Sequence, residues 1–194
     1  MKRICTLIIS LLILNNSYSQ TGTNIERKSA NYFIGHNNVD TISKLYIADN
    51  SLIDSIIKIP SKKFKIVIFF SNWCGSCIEK LPVILDFLKQ NDQHFDVSLI
   101  SLSPYCKVQN EINFINNYLH YKGKVFVMDE IKYKTQKRNS SKLNAIIKQI
   151  CPNCDYKRIG YSSFIVYNSI GNYLLHSTYY TNGLERVVQL KKIL

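Results

Sequence analysis

The 194-residue chain has no apolar run long enough to cross a membrane as a helix, which takes roughly 18 or more residues; its longest, Ile4 to Leu14, has eleven. Internal repeats and low-complexity tracts are missing, so a repeat array is excluded. Acidic residues are scarce, 13 against 25 Lys and Arg, leaving a net charge of +12. Such a balance fits an acidic partner or an anionic surface, but the lysines are scattered in a chain rich in Ile, Lys and Asn. No basic stripe interleaved with aromatics is present to bind nucleic acid. Only four histidines occur, His36, His94, His120 and His176, and they are too dispersed to announce a metal or catalytic cluster.

What is present begins with an export pattern. Lys2-Arg3 precede the apolar run, and Ser17 and Ser19 supply small residues before Gln20. This reads as a signal peptide over residues 1–19, cut after Ser19, with an uncleaved membrane anchor as the alternative. Cys5 sits ahead of most of the apolar run and is badly placed for lipid attachment. Removal of the segment leaves a charge of +10 and five cysteines, Cys74, Cys77, Cys106, Cys151 and Cys154. The expected location is the periplasm or cell envelope, where disulfides persist. Residues 20–43 are polar and Asn-rich and read as an N-terminal arm. A single folded domain is expected over 44–194.

Within that domain, apolar patterning alternates between strands and helices. Lys44–Ala48 reads as a short strand. Asp49 or Asn50 caps a helix bearing Leu52, Ile53, Ile56 and Ile57, which Pro60 ends. Ile66–Phe70, apolar throughout, reads as a central strand covered on both faces. Ile78, Leu81, Leu85 and Leu88 mark the next helix, and Phe95–Leu102 the next strand. A helix on Val108, Ile112, Ile115 and Leu119 follows, then a strand over Lys124–Met128. Leu143, Ile146, Ile147 and Ile150 mark a helix capped near Ser140 or Ser141. Phe164–Tyr167 and Tyr173–His176 form a hairpin. Asn182 and Glu185 form a capping pair for a last helix carrying Leu184, Val187, Val188 and Leu194. This order predicts an α/β fold, a three-layer sandwich in which helices flank a central mixed β-sheet.

Between the central strand and its helix lies Trp73-Cys74-Gly75-Ser76-Cys77. A thiol at a helix N-terminus has its thiolate stabilised by free backbone N–H groups and the positive end of the dipole. Cys74 is thereby the candidate nucleophile, and Cys77, one turn further in, can attack a mixed disulfide formed on it. A bare C-x-x-C could equally be a structural bridge or half of a zinc site. The flanks decide between them. The stretch Phe69 to Cys77, with Pro82 five residues on, resembles the active-site segment of the thioredoxin superfamily, and within it the exported TlpA-like thiol–disulfide oxidoreductases.

The resemblance implies a thioredoxin-like fold, reduction or isomerisation of protein disulfides, electrons from a membrane thiol reductase, and no metal or organic cofactor. It also implies that Trp73 shields the dithiol, Pro82 kinks the helix, and Tyr161-Ser162-Ser163 forms the loop facing the dithiol. The chain departs from the family pattern in two places. Ser162 stands where a cis-proline is expected, and a cis bond before a non-proline residue costs about 2.5–4 kcal/mol, so a trans peptide is predicted there. The family's buried acid would fall at Ile68 or Lys80; either Glu79 substitutes imperfectly or water moves the proton. Lys80 itself reads as a surface lysine or a promoter of the thiolate. Gly75-Ser76 lacks the histidine of strongly oxidising relatives, which favours a reducing role.

A second C-x-x-C, Cys151-Pro152-Asn153-Cys154, admits three readings: a structural disulfide, a relay exchanging with Cys74 and Cys77, or a zinc site with Cys106 and a histidine such as His120. The alternative to an enzyme is a non-catalytic thioredoxin-like binding domain with a degenerate substrate loop. A peroxide-reducing thiol enzyme is disfavoured, since the threonine-containing peroxidase pattern is missing.

Overall fold

The computed structural model describes residues 25–29, 42, 44–61, 63–136 and 138–194. The signal segment 1–19, Cys5, His36 and most of the 20–43 arm lie outside the described residues. Seven strands are described: β1 (Ile25–Arg27), β2 (Leu45–Ala48), β3 (Phe64–Phe70), β4 (Phe95–Ser101), β5 (Lys124–Met128), β6 (Phe164–Tyr167) and β7 (Tyr173–His176). Between them run α1 (Asn50–Lys58), α2 (Gly75–Gln90), α3 (Val108–Phe114), α4 (Asn139–Ile150) and α5 (Gly183–Lys191).

The strands form one mixed sheet in the order β1-β2-β5-β4-β3-β6-β7. From β1 to β3 neighbours run parallel, whereas β6 and β7 pair antiparallel. Strand alternation sorts the core into two layers. Val67, Phe69, Ile100, Phe126 and Ile165 face α1 and α4, while Ile66, Ile68, Phe70, Leu99, Val127 and Phe164 face α2, α3 and α5. The three-layer sandwich expected from the pattern is the observed architecture. The strand β1, inside the segment read as an arm, went unpredicted; Arg27 ties it to Asp129 beyond β5 with an ion pair of 2.7 Å.

Local signals explain most boundaries. Asp49 caps α1, its carboxylate accepting from Leu52 N at 2.9 Å. Asn182 and Glu185 form a full capping box on α5. Gly171, at φ 90°, makes the hairpin turn between β6 and β7. Two helices correct the sequence reading. α4 starts at Asn139 after Arg138, which gives no side-chain cap, so Ser140 and Ser141 lie inside the first turn instead of capping it. In α5 the buried positions are Arg186 and Leu190, whereas Leu184, Val188 and Leu194 are exposed. The inward face was therefore misphased, because an arginine occupies its centre. Ile78 in α2 is likewise exposed, and Ile84 is buried in the stripe with Leu81, Leu85 and Leu88.

Candidate active site

The site lies where β3 and β4 end, at the carboxyl edge of the parallel strands. β6 runs the other way, so the residues entering it, Gly160 to Ser163, arrive at the same edge. Ser162 N donates to Phe69 O at 2.7 Å, and Phe69 N donates to Ser163 O at 3.2 Å, which fastens this loop to the last turn of the central strand. Tyr161 meets Trp73 edge-on, the ring centroids 5.0 Å apart. Trp73 itself is 54% exposed.

Cys74 is the N-cap residue of α2, in extended conformation, and Cys77 is the third helical residue. Both are free cysteines, Cys74 half-buried and Cys77 buried. The Cys77 N–H donates to the Cys74 carbonyl at 2.9 Å, closing the turn that brings the sulfurs together. The Cys74 thiol is pulled down to about 6, chiefly because the Cys77 thiol donates a hydrogen bond to its thiolate. The Ser76 hydroxyl, 3.1 Å from Cys74 Sγ, and the N–H groups of Cys77 and Ser76 add to this against the cost of burial. Cys77 is pushed far up, first by donating to Cys74, then by burial and by the negative charge of its neighbour. One sulfur is thus an anion at neutral pH and the other holds its proton.

The buried acid comes from neither Ile68, Lys80 nor Glu79. Glu79 is exposed, and Lys80 Nζ donates to the Tyr179 carbonyl at 3.0 Å, tying α2 to the approach of α5. A buried carboxyl is instead supplied by Glu111 on α3, 0% exposed. Its Oε1 accepts from Asn72 N at 3.1 Å and from the Ser103 hydroxyl, which lies 3.2 Å from Ser71 Oγ. Burial raises its carboxyl above the ordinary range, opposed by Ser103, Asn72 and Ser101. The Ser71 N–H in turn supports the Cys77 sulfur, and the Glu111 charge reaches Cys77 and raises it. A signal for this residue was present: Glu111 stands three after Val108 and four before Ile115, on the apolar stripe of its helix.

Ser162 follows a trans peptide and takes φ 67°, a left-handed conformation uncommon outside glycine. Behind it lies Arg186, 0% exposed, whose Nη1 donates to the Ser162 carbonyl and, at 3.1 Å, to Ser162 Oγ. Nη2 donates to Thr178 O at 2.7 Å. Burial lowers the guanidinium to about 10, and the charges on Cys77 and Cys74 oppose that fall.

Cys151 and Cys154 are joined in a disulfide and belong to the core layer against α1 and α4, whereas Cys77 belongs to the opposite layer. Cys106 is an exposed free thiol in a short turn after β4. Cys106, Cys151, Cys154 and His120 do not assemble as a zinc set: no cluster of three or more metal-ligating side chains exists among the described residues. His94 and His120 are exposed, and His176 Nδ1 bonds the Tyr173 hydroxyl at 2.8 Å.

A mixed sheet between two helical layers, with a C-x-x-C opening the helix that leaves the central strand, defines the class: the chain has the thioredoxin fold. It is similar to a thiol:disulfide interchange protein from a Bacteroides species, 14% identical over 80% of this chain and 83% of that one, with a TM-score of 0.50. The thioredoxin domain of a thiol-disulfide oxidoreductase from Bacteroides vulgatus aligns with 71% of this chain and 81% of its own at 14% identity, TM-score 0.49. A thioredoxin family thiol:disulfide interchange protein from Chlorobium tepidum gives 17% identity over 71% and 83%, TM-score 0.46. At these identities the likeness is one of fold. No family model matches the chain, and no curated protein does.

Proposed function

We propose that this chain is an exported thiol–disulfide oxidoreductase that reduces or isomerises disulfides in other proteins of the cell envelope. The observation that carries the reading is the division of labour between Cys74, half-buried and anionic near neutral pH, and Cys77, buried and protonated beside the Glu111 carboxylate.

The Cys74 thiolate attacks one sulfur of a substrate disulfide; a Cys74–substrate S–S bond forms, the substrate S–S bond breaks, and the departing sulfur takes a proton. Cys77 then gives up its proton, with Glu111, whose charge reaches it, as the acceptor, and attacks Cys74 Sγ. The second substrate thiol leaves and Cys74–Cys77 closes as a disulfide, two electrons having passed to the substrate. A membrane thiol reductase, itself a dithiol donor, restores the pair. Residues 1–19 supply the export signal in this account, and the Cys151–Cys154 disulfide is structural.

One observation favours the rival reading of a non-catalytic binding domain. The Ser162 carbonyl is turned inward onto Arg186 and is not offered to a docked chain. Purified reduced protein assayed for insulin reduction separates the two. Activity lost in Cys74→Ser, with mixed disulfides accumulating in Cys77→Ser, supports the enzyme; wild-type protein inert towards insulin and towards scrambled disulfides leaves only the binding domain.

A further inference from the structure

A buried charge is tolerated when it is paired and hydrogen-bonded. Arg186 is fully buried, yet every polar contact it makes among the described residues is to a neutral oxygen: the Ser162 carbonyl, Ser162 Oγ and Thr178 O. Its Nε is buried with no hydrogen-bond partner among the described residues. What it lacks is an anion. The one nearby is reached through two hydroxyls. Ser162 Oγ donates to Ser76 Oγ at 3.3 Å, and Ser76 Oγ stands 3.1 Å from Cys74 Sγ. When Cys74 is a thiolate, all the donors point one way, from guanidinium to Ser162, to Ser76, to sulfur. Aligned hydrogen bonds in a low-dielectric setting polarise one another and strengthen the last.

We propose that Arg186 is a positioning residue for the dithiol, the counter-charge of the Cys74 thiolate acting through the Ser162 and Ser76 hydroxyls, and that it favours the reduced form over the disulfide. The proposal rests on the reading of Cys74 as the attacking thiolate. Oxidation turns Cys74 S⁻ and Cys77 SH into one S–S bond, releasing one proton and passing two electrons to the substrate disulfide. The anion disappears and Arg186 keeps its charge among neutral oxygens, so the oxidised protein holds an uncompensated buried cation. Arg186 acts from α5 at the far end of two hydroxyls, a weaker pull than a cation placed between the two cysteines would exert, and the same guanidinium holds Ser162 in its left-handed turn. The titratable or charged groups facing the dithiol are Cys77 on α2, Glu111 on α3, Tyr161 in the loop before β6 and Arg186 on α5. Lys80 is engaged with the Tyr179 carbonyl. Among the described residues in this set, Arg186 is the cation that the hydroxyl chain connects to Cys74.

The test uses the full chain in reduced form. The pH midpoint of Cys74 alkylation by iodoacetamide, with Cys77→Ser as background, and the Cys74–Cys77 potential against glutathione are measured in Ser76→Ala, Ser162→Gly, Arg186→Lys and Arg186→Gln. Glycine accepts the left-handed backbone of Ser162, so that variant breaks the chain without straining the turn. Ser76→Ala should raise the midpoint by about one pH unit, as expected for one lost hydrogen bond to a charge, and Ser162→Gly, which removes the neutral link behind it, should raise it by a smaller amount. One pH unit is a tenfold change in the Cys74 acid dissociation constant, which at pH above both midpoints corresponds to a potential lower by about 30 mV for a two-electron couple. Arg186→Gln should shift both further in the same sense, and Arg186→Lys should return most of the effect. Should Arg186→Gln fail to fold, the two serine variants decide. Midpoints and potentials that coincide with wild type in both serine variants overturn the relay. Insulin reduction is scored separately: a protein inert on insulin whose midpoint moves loses the proposed enzyme and keeps the relay, while an active protein whose midpoint stays fixed does the reverse.

Discussion

The hydroxyl of Tyr118 donates to the carbonyl of Ile78 at 3.1 Å, and Ile78 is the residue four before Pro82. A proline has no N–H, so its helix leaves that acceptor without an intrahelical donor. The irregular turn Ile115–Leu119, which continues α3, supplies the missing donor from outside the helix. Tyr118→Phe keeps the ring and its stacking on Phe114 but strands the carbonyl. We expect a loss of about 0.5–1 kcal/mol in urea unfolding, together with faster hydrogen exchange of the first turns of α2; unchanged exchange there would mean that water satisfies Ile78 equally well.

Glu111→Gln separates chemistry from stability. The glutamine keeps an oxygen for Asn72 N and Ser103 Oγ but cannot take the Cys77 proton. Release of a mixed disulfide from Cys74 should slow about a hundredfold, at the low end for a lost proton-transfer group. Attack by Cys74 on Ellman's reagent should stay near wild type. Because burial raises the Glu111 carboxyl, its contribution to stability is complete below the unfolded range near pH 4.3 and is lost as pH rises through the folded value. The glutamine variant should therefore match or exceed wild type in Tm at pH 7. Equal rates of mixed-disulfide release in the two proteins would remove Glu111 from the mechanism.

The reduced protein should gain stability across a defined pH window. Cys74 titrates at about 6 in the fold and at ~8.5 in an unfolded chain. A group whose folded value is depressed contributes fully above the unfolded value, and the contribution is lost as pH falls through the folded one. Between pH 6 and 8.5 the urea midpoint of reduced wild type should rise relative to that of Cys74→Ser. Cys77, raised in the fold, acts in the opposite sense only above its unfolded range. Parallel curves for the two proteins from pH 6 to 8.5 would contradict a folded-state thiolate.

Removing the Cys151–Cys154 disulfide should affect stability and leave turnover intact. The bond closes a short loop, for which chain entropy gives about 2 kcal/mol, and both residues are buried. Cys151→Ser with Cys154→Ser should lower the unfolding free energy by about that amount. Insulin reduction by the double variant should match wild type below its lowered Tm, since the pair belongs to the core layer across the sheet from Cys77. A double variant that folds yet loses turnover would mean that electrons pass through this pair.

The sequence made the scaffold legible wherever apolar residues kept a clean period. Ile66–Phe70, Lys124–Met128 and the hairpin strands emerge from it directly, as do the capping residues Asp49 and Asn182. The dithiol was legible because a strand, a turn and a helix meet within a few residues. The supporting groups were not, for a single physical reason. Glu111 and Arg186 are charges on faces that apolar patterning reads as core, so Glu111 was passed over and the inward face of α5 was drawn through Leu184 and Val188. A charge interrupting an otherwise apolar stripe costs stability unless something offsets it. Both interruptions act electrostatically at the dithiol, Glu111 on Cys77 and Arg186 with both sulfurs. The three residues of β1 carry too short a pattern to be read at all.

That small strand has a consequence of its own. Ile25–Arg27 occupies the outer hydrogen-bonding edge of β2, and Arg27 is fastened to Asp129. Its backbone is what pairs with Leu45, Tyr46 and Ile47 on that flank. A bare row of amides and carbonyls is a template for any passing chain. Loss of Ile25–Arg27 would shift the open edge of the sheet from three residues pinned by Arg27 to the longer strand Leu45–Ala48, a better template for a neighbouring chain.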